Sequence, residues 1–275
     1  MKYLITRADD FGSAKAANAV ILQAIKEGDY IRNISCMAGA PAMQEGAEEL
    51  ERLRKKNSFC IGLHAVLNSE WENVHFRSIL RAEEIPSLVD ENGIFAAHPM
   101  MFNQKMPDVE EAVREISAQL DRLIALKVTV EYVDTHMLPD AAVPGLMDAL
   151  SDFAKKKGLV DQRNYYTFPS RHQPSLTGNS SVEEDLIKYR TWYECMEEEK
   201  QYINILHPAK YSEETKLFYN HTLRGDVVAR SRNAEQLVLN SKKLEKLCYE
   251  LGIRPIKYTE AVPQGDTTIN AMNNF

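Results

Sequence analysis

The chain has 275 residues, 44% of them hydrophobic and 27% charged, with only 12 Gly and 11 Pro; this ordinary globular balance excludes collagen-like repeats and low-complexity disorder. Its 33 Lys and Arg stand against 40 Asp and Glu, a formal net charge of −7, and no basic tract occurs, so nucleic acid is not an expected partner. No run of 18 apolar residues offers a membrane span, the apolar stretch after Met1 stops at Arg7, too short for a signal peptide, and Cys36, Cys60, Cys195 and Cys248 form no CxxC pair, which suits reduced thiols in the cytoplasm.

Short apolar runs alternate with segments of helical period, as a parallel sheet with crossover helices requires. Strands are expected at 2–6, 33–37, 59–63, 129–134, 202–206 and 255–258, most of them apolar at consecutive positions because both faces would be buried. Between the first two, Ala17, Val20, Ile21, Ala24 and Ile25 keep helical spacing, with Ser13 placed to cap the start and Gly28 to end the helix. Residues 68–106 break the rhythm and carry Trp71, His75, Phe76, Phe95, His98 and Phe102, which suits a lid or substrate loop. A helix follows from Asp108, whose spacing to Glu111 resembles a capping box, with Val109, Ala112, Val113, Ile116, Leu120 and Leu123 on one face. Residues 165–192 form a second such break, with Tyr165, Tyr166, Phe168, His172, Tyr189 and Trp192. One long helix is expected over 231–252, turning Ala234, Leu237, Val238, Leu244, Leu247, Cys248 and Leu251 inward, before a last strand that brings the chain ends together. The size suits a single α/β domain over residues 1–275, a (β/α) barrel.

Ala8-Asp9-Asp10-Phe11-Gly12 stands at the end of the first strand, where barrel folds keep their active sites. Adjacent carboxylates repel unless a cation or proton separates their roles, so one could bind a metal and the other act as base; either could instead cap the following helix. Asp10-Phe11-Gly12 also spells a kinase metal triplet, but the other kinase motifs are missing. His64 closes Phe59-Cys60-Ile61-Gly62-Leu63, and His136 ends the run through Asp134 and Thr135. A lone histidine in either place is commonly structural. Together, one Asp and two His make a facial set that leaves coordination positions for water and substrate. Asp134 reads either as a turn residue or as a partner orienting an imidazole. His207 ends a fourth strand, and an imidazole beside the set can pass a proton to a leaving group. His75, His98, His172 and His221 have no comparable placement.

In that order, Ala8-Asp9-Asp10-Phe11-Gly12, Ile61-Gly62-Leu63-His64, Asp134-Thr135-His136 and Leu206-His207-Pro208 resemble the YdjC-like carbohydrate deacetylase family. Ile85-Pro86-Ser87-Leu88 with Asp90-Glu91-Asn92-Gly93-Ile94-Phe95 is similar to that family's loop after the first histidine. The resemblance implies a distorted, TIM-like (β/α) barrel of polysaccharide-deacetylase type. It also implies a divalent metal on Asp10, His64 and His136, with Asp9 as general base and His207 as general acid. The reaction would remove an N-acetyl group from an amino sugar or a short oligosaccharide. The donor set alone leans towards zinc, whereas the absence of cysteine from it and the resemblance allow magnesium, which is the ion expected here. Two positions depart from the pattern: Leu138 stands where the family often has a second histidine, and Arg7 stands where a small polar residue is usual. Arg7 beside two carboxylates would lower the pKa of Asp9. These departures keep open a different small amide or ester as substrate, or a sugar-binding relative without turnover. Arg163 matches a family arginine near the base only loosely. A homodimer is expected on general grounds.

Overall fold

Strand and helix alternate along residues 1–264, which are described in a computed structural model; the single domain expected over 1–275 extends into 265–275, outside the described residues. The elements are β1 (Lys2–Phe11), α1 (Lys15–Glu27), β2 (Asn33–Cys36), α2 (Met43–Arg54), β3 (Cys60–Ala65), α3 (Val109–Ala125), β4 (Tyr132–Thr135), α4 (Pro139–Ala142), α5 (Leu146–Lys157), β5 (Val160–Asp161), α6 (Val182–Glu194), β6 (Gln201–Leu206), α7 (Gly225–Asn240), α8 (Lys243–Glu250) and β7 (Ile253–Ile256). Every strand pair is parallel, and the sheet runs β5-β4-β3-β2-β1-β6. The strand β7 lies on the β2 side of β1, pairing Lys2 to Ile5, while β2 takes Arg7 to Phe11 further along. No ladder joins β5 to β6; a lone parallel bridge between Thr167 and Tyr202 spans that seam, so the sheet curls into an open barrel.

The α/β barrel expected from the sequence is therefore present, with several local differences. β1 runs five residues beyond the predicted end and carries both carboxylates within it. The short β5 was not foreseen. Ala14 rather than Ser13 precedes α1, and the Ser13 hydroxyl has no partner. Residues 165–192 are not all loop: α6 starts behind a Ser181–Glu184 capping box and buries Tyr189 and Trp192 in the core. The long terminal helix is two helices, broken at Lys242, whose φ of 57° no helix interior accepts. Leu237, expected inward, is 48% exposed. The first and last described strands do pair, through Lys2 and Ile253; the chain's C-terminal end lies outside the described residues.

Strand side chains alternate between faces, and here the two faces are two different cores. Leu4 and Ala8 of β1, Ile61 and Leu63 of β3, Val133 of β4 and Leu206 of β6 pack outward under the helices. Ile5, Cys60, Tyr132 and Ile203 point into the barrel, where Tyr166, Ile256 and Tyr258 join them. Tyr132 lies across Gly62, where a Cβ would come within 2.2 Å of its ring. Its hydroxyl shares a 2.8 Å hydrogen bond with Ser35, and its ring tilts against Tyr258 at 4.5 Å. This aromatic plug floors the barrel, and the strand residues above it form the mouth.

Candidate active site

Counting by twos from the floor gives the site. Arg7 and Asp9 follow Ile5, Gly62 and His64 follow Cys60, Asp134 and His136 follow Tyr132, and Ile205 and His207 follow Ile203, all on the inward register. Asp10 would face outward by that rule, but the register shifts between Ala8 and Phe11 and Asp10 adopts a φ of 62°. A bulge with one residue in the left-handed region re-aims its side chain, so both carboxylates reach the same cavity. Met137 and Leu138, directly after His136, hold the same kind of backbone with φ of 55° each. Strained positions thus cluster at the mouth.

Each imidazole is fixed by a carboxylate. His64 Nδ1 lies 2.9 Å from Asp134 Oδ2, and His136 Nε2 lies 2.9 Å from Glu70 Oε2. An ionised carboxylate only accepts, so each of those ring nitrogens carries a proton, and in the neutral imidazole, the form a metal takes, the opposite nitrogen offers its lone pair. Those lone-pair atoms, His64 Nε2 and His136 Nδ1, face each other at 3.2 Å, and lie 3.6 and 3.5 Å from Asp10 Oδ1. Asp10 Oδ1 is buried and has no hydrogen-bond partner among the described residues. With both imidazoles neutral, three acceptors converge without a donor, and either a proton on His64 or a metal cation between them relieves the repulsion. Ligand atoms about 2.1 Å from a tetrahedral ion lie about 3.4 Å apart, close to the spacings seen here. The donor set therefore fits a divalent metal. A second cluster, Asp9, His64 and Asp134, shares His64 with it, but its carboxylates are already engaged by Arg7.

Arg7 lies beneath this layer. Its Nε and Nη2 donate to the two oxygens of Asp9 at 2.6 and 2.8 Å, and Nη1 donates to Gln162 at 2.6 Å and to the Tyr258 hydroxyl at 3.1 Å. Nη1 also lies 3.1 Å from Asp134 Oδ2. Burial alone would raise the pKa of Asp9, but Arg7, His64 and His207 hold it below the usual carboxylate range. Asp10 is also pushed far down: burial opposes, while Arg232, His207, His136 and His64 prevail. His64 shows the reverse balance, because burial lowers it yet Asp134 and Asp9 raise it to about 9. His207 is lowered, by burial above all, against the pull of Asp10 and Asp9.

All five residues singled out in the sequence, Asp9, Asp10, His64, His136 and His207, thus gather at one mouth, and of the two readings of Asp134 the structure supports the imidazole partner. Arg163 does not join them: it binds Asp161 through Nε at 2.9 Å and lies 3.9 Å from Asp140, and the guanidinium beside Asp9 belongs to Arg7. Three contributors were missed. Glu70 comes from the 68–106 loop, which tucks against a second loop: Glu72 N–H donates to Tyr219 O, Asn220 Nδ2 donates to Glu70 O, and Trp71 meets Phe218 edge-on at 5.7 Å. Arg232 and Glu235 come from α7, where Arg232 Nη2 donates to Asp10 Oδ2 at 2.8 Å and Glu235 Oε2 accepts the backbone N–H of His207 at 2.5 Å. Burial pushes the Glu235 carboxyl up to about 7. Loop and helix residues of this kind have no strand-end position to betray them.

A family model described as YdjC-like protein matches residues 3–250. A carbohydrate deacetylase of Geobacillus stearothermophilus is 34% identical over 137 residues, 49% of this chain and 49% of that protein. One of Brevibacillus brevis is 24% identical over 267 residues, 94% of this chain and 98% of that one. The match thus spans about half the length of the Geobacillus relative and nearly all of the Brevibacillus one. Among solved structures, an Enterococcus faecalis V583 protein whose description proposes cellobiose-phosphate cleavage superposes with a TM-score of 0.70 at 22% identity, over 95% of this chain and 99% of that chain. That likeness shows the fold.

Proposed function

The chain belongs to the YdjC-like family, and from that premise we propose that it is a metal-dependent hydrolase that removes N-acetyl groups from amino sugars or short N-acetylated oligosaccharides. The observation that carries the reading is the convergence of three buried acceptors, Asp10 Oδ1, His64 Nε2 and His136 Nδ1, on one point at the barrel mouth. The relatives described as carbohydrate deacetylases supply the substrate class.

Asp10, His64 and His136 would hold the ion; the family resemblance favours magnesium, while two imidazoles in the set make zinc the alternative. Bound there, a divalent metal would supply Lewis acidity for attack on the acyl carbonyl. Asp134 and Glu70 keep the two imidazoles in the tautomers that leave lone pairs inward. Asp9 takes the proton of the attacking water; Arg7 fixes its orientation and, by lowering its pKa, weakens it as a base. His207 protonates the departing amine. Burial lowers its pKa, so its imidazolium is a strong acid that gives the proton up readily.

Acetate release from N-acetylglucosamine and its oligomers, with and without chelator, tests this. Chelator-sensitive release is expected, lost in Asp10→Ala. His207→Ala should lower kcat by roughly 10² to 10⁴ while leaving metal affinity in place. The grip of Arg7 on both oxygens of Asp9 favours one second reading, a relative that binds sugar without turnover. Oligosaccharide binding with no acetate released, with or without metal, would establish it instead.

A further inference from the structure

Arg232 of α7 is built into the mouth more firmly than a surface arginine. Its side chain is 9% exposed, its Nη2 is committed to Asp10 Oδ2, and its guanidinium lies over the Phe218 ring at 5.2 Å. On the same rigid fork, Nη1 is buried with no hydrogen-bond partner among the described residues. A buried donor left bare is uncommon in a folded protein and asks for an acceptor. Arg232 O also accepts the N–H of Ala209, two residues beyond His207, so this turn of α7 touches both Asp10, the proposed metal ligand, and the segment that carries the proposed acid. That is where the reacting end of an N-acylated substrate has to lie. A guanidinium can only donate, so what it awaits is an oxygen.

Resting on the deacetylase reading, we propose that Arg232 contacts the substrate directly: Nη2 fixes Asp10 while Nη1 donates a hydrogen bond to the acyl carbonyl oxygen. One residue thereby aligns a metal ligand and the bond to be cleaved, which a point charge cannot do at both ends.

The test uses Zn2+-loaded protein and acetate, the shortest ligand with the acyl oxygens, read by calorimetry beside kcat/KM for N-acetylglucosamine oligomers. Arg232→Lys keeps an ammonium for Asp10 but cannot span two acceptors. It is expected to hold Zn2+ within about threefold of wild type while acetate affinity and kcat/KM each fall tenfold or more. Arg232→Gln, neutral but still able to donate to Asp10, should lose acetate to the same extent, which guards against a folding effect of the ammonium. Acetate binding and turnover unchanged in Arg232→Lys would overturn the contact. So would a loss of acetate that merely parallels loss of Zn2+, since Arg232 would then act through Asp10 alone. If wild type releases no acetate from any sugar, the deacetylase reading fails by itself; acetate binding in wild type against Arg232→Lys still decides whether the donor is used.

Discussion

Asp10 is held on one oxygen and bare on the other, and that division is what suits it to the proposed role of ligand. Arg232 occupies Oδ2, leaving Oδ1 to face His64 and His136. The carboxylates behind the imidazoles differ in a way that separates two predictions. Glu70 is itself buried but holds His136 and Asn68 rather than a buried guanidinium, so Glu70→Ala should weaken metal binding by roughly 10- to 100-fold and cost the fold less. Asp134 instead lies between His64, Ser35 and Arg7 with no exposed side-chain surface. Removing it takes one of two carboxylates from the buried Arg7, leaves Asp9 in place, and strips Ser35 and His64 of an acceptor, so Asp134→Ala should weaken metal binding and also cost about 1–3 kcal/mol of stability. Calorimetric titration with the metal, beside urea unfolding of the same two variants, checks both. Equal stability losses in the two would show that Arg7 does not depend on Asp134.

At the scale of elements, the sites that could be read from the sequence are those that lie on strands. His64, His136 and His207 each end an apolar run, and period-two alternation places them on the face of Cys60, Tyr132 and Ile203. The bulge at Asp10 is invisible to alternation, because a left-handed residue is a property of the folded backbone rather than of a pattern. Glu70, Arg232 and Glu235 escaped for a related reason: each is delivered by tertiary packing from a loop or helix. The helix α6 was legible and overlooked, since Ser181-x-x-Glu184 is a capping box in plain sequence and Tyr189 and Trp192 follow at helical spacing. The break at Lys242 was not, because a lysine carries no stop signal. Gly62 in β3 was also readable only in part: its absent Cβ is the space that the Tyr132 ring fills. Gly62→Ala should therefore overpack the floor by roughly 1–3 kcal/mol. With about 2–4 °C lost per kcal/mol in a chain of this size, the expected fall in Tm is roughly 2–12 °C. An unchanged Tm would mean that Tyr132 moves aside without loss.

For the molecule as a whole, the ion and the fold should be linked through protons. In the metal-free protein His64 is raised from about 6.5 to about 9, since Asp134 and Asp9 outweigh burial. A group whose folded pKa is raised stabilises the fold fully below its unfolded value, and that stabilisation drains away as pH climbs through the folded one. Chelated protein should therefore lose Tm steadily between about pH 6.5 and pH 9. Metal requires the neutral imidazole, so it competes with that proton and binds more tightly as pH rises. At a free metal concentration of about 100 times Kd the gain is about 2.7 kcal/mol, or roughly 5–10 °C in Tm. The gap between loaded and chelated Tm should thus widen across the same window, and His64→Gln should flatten the decline of the chelated protein. Thermal scans at half-unit pH steps, each run with metal and with chelator, measure this directly. A gap that stays constant or narrows with rising pH would show that the ion does not displace a proton from His64, and would remove that histidine from the ligand set.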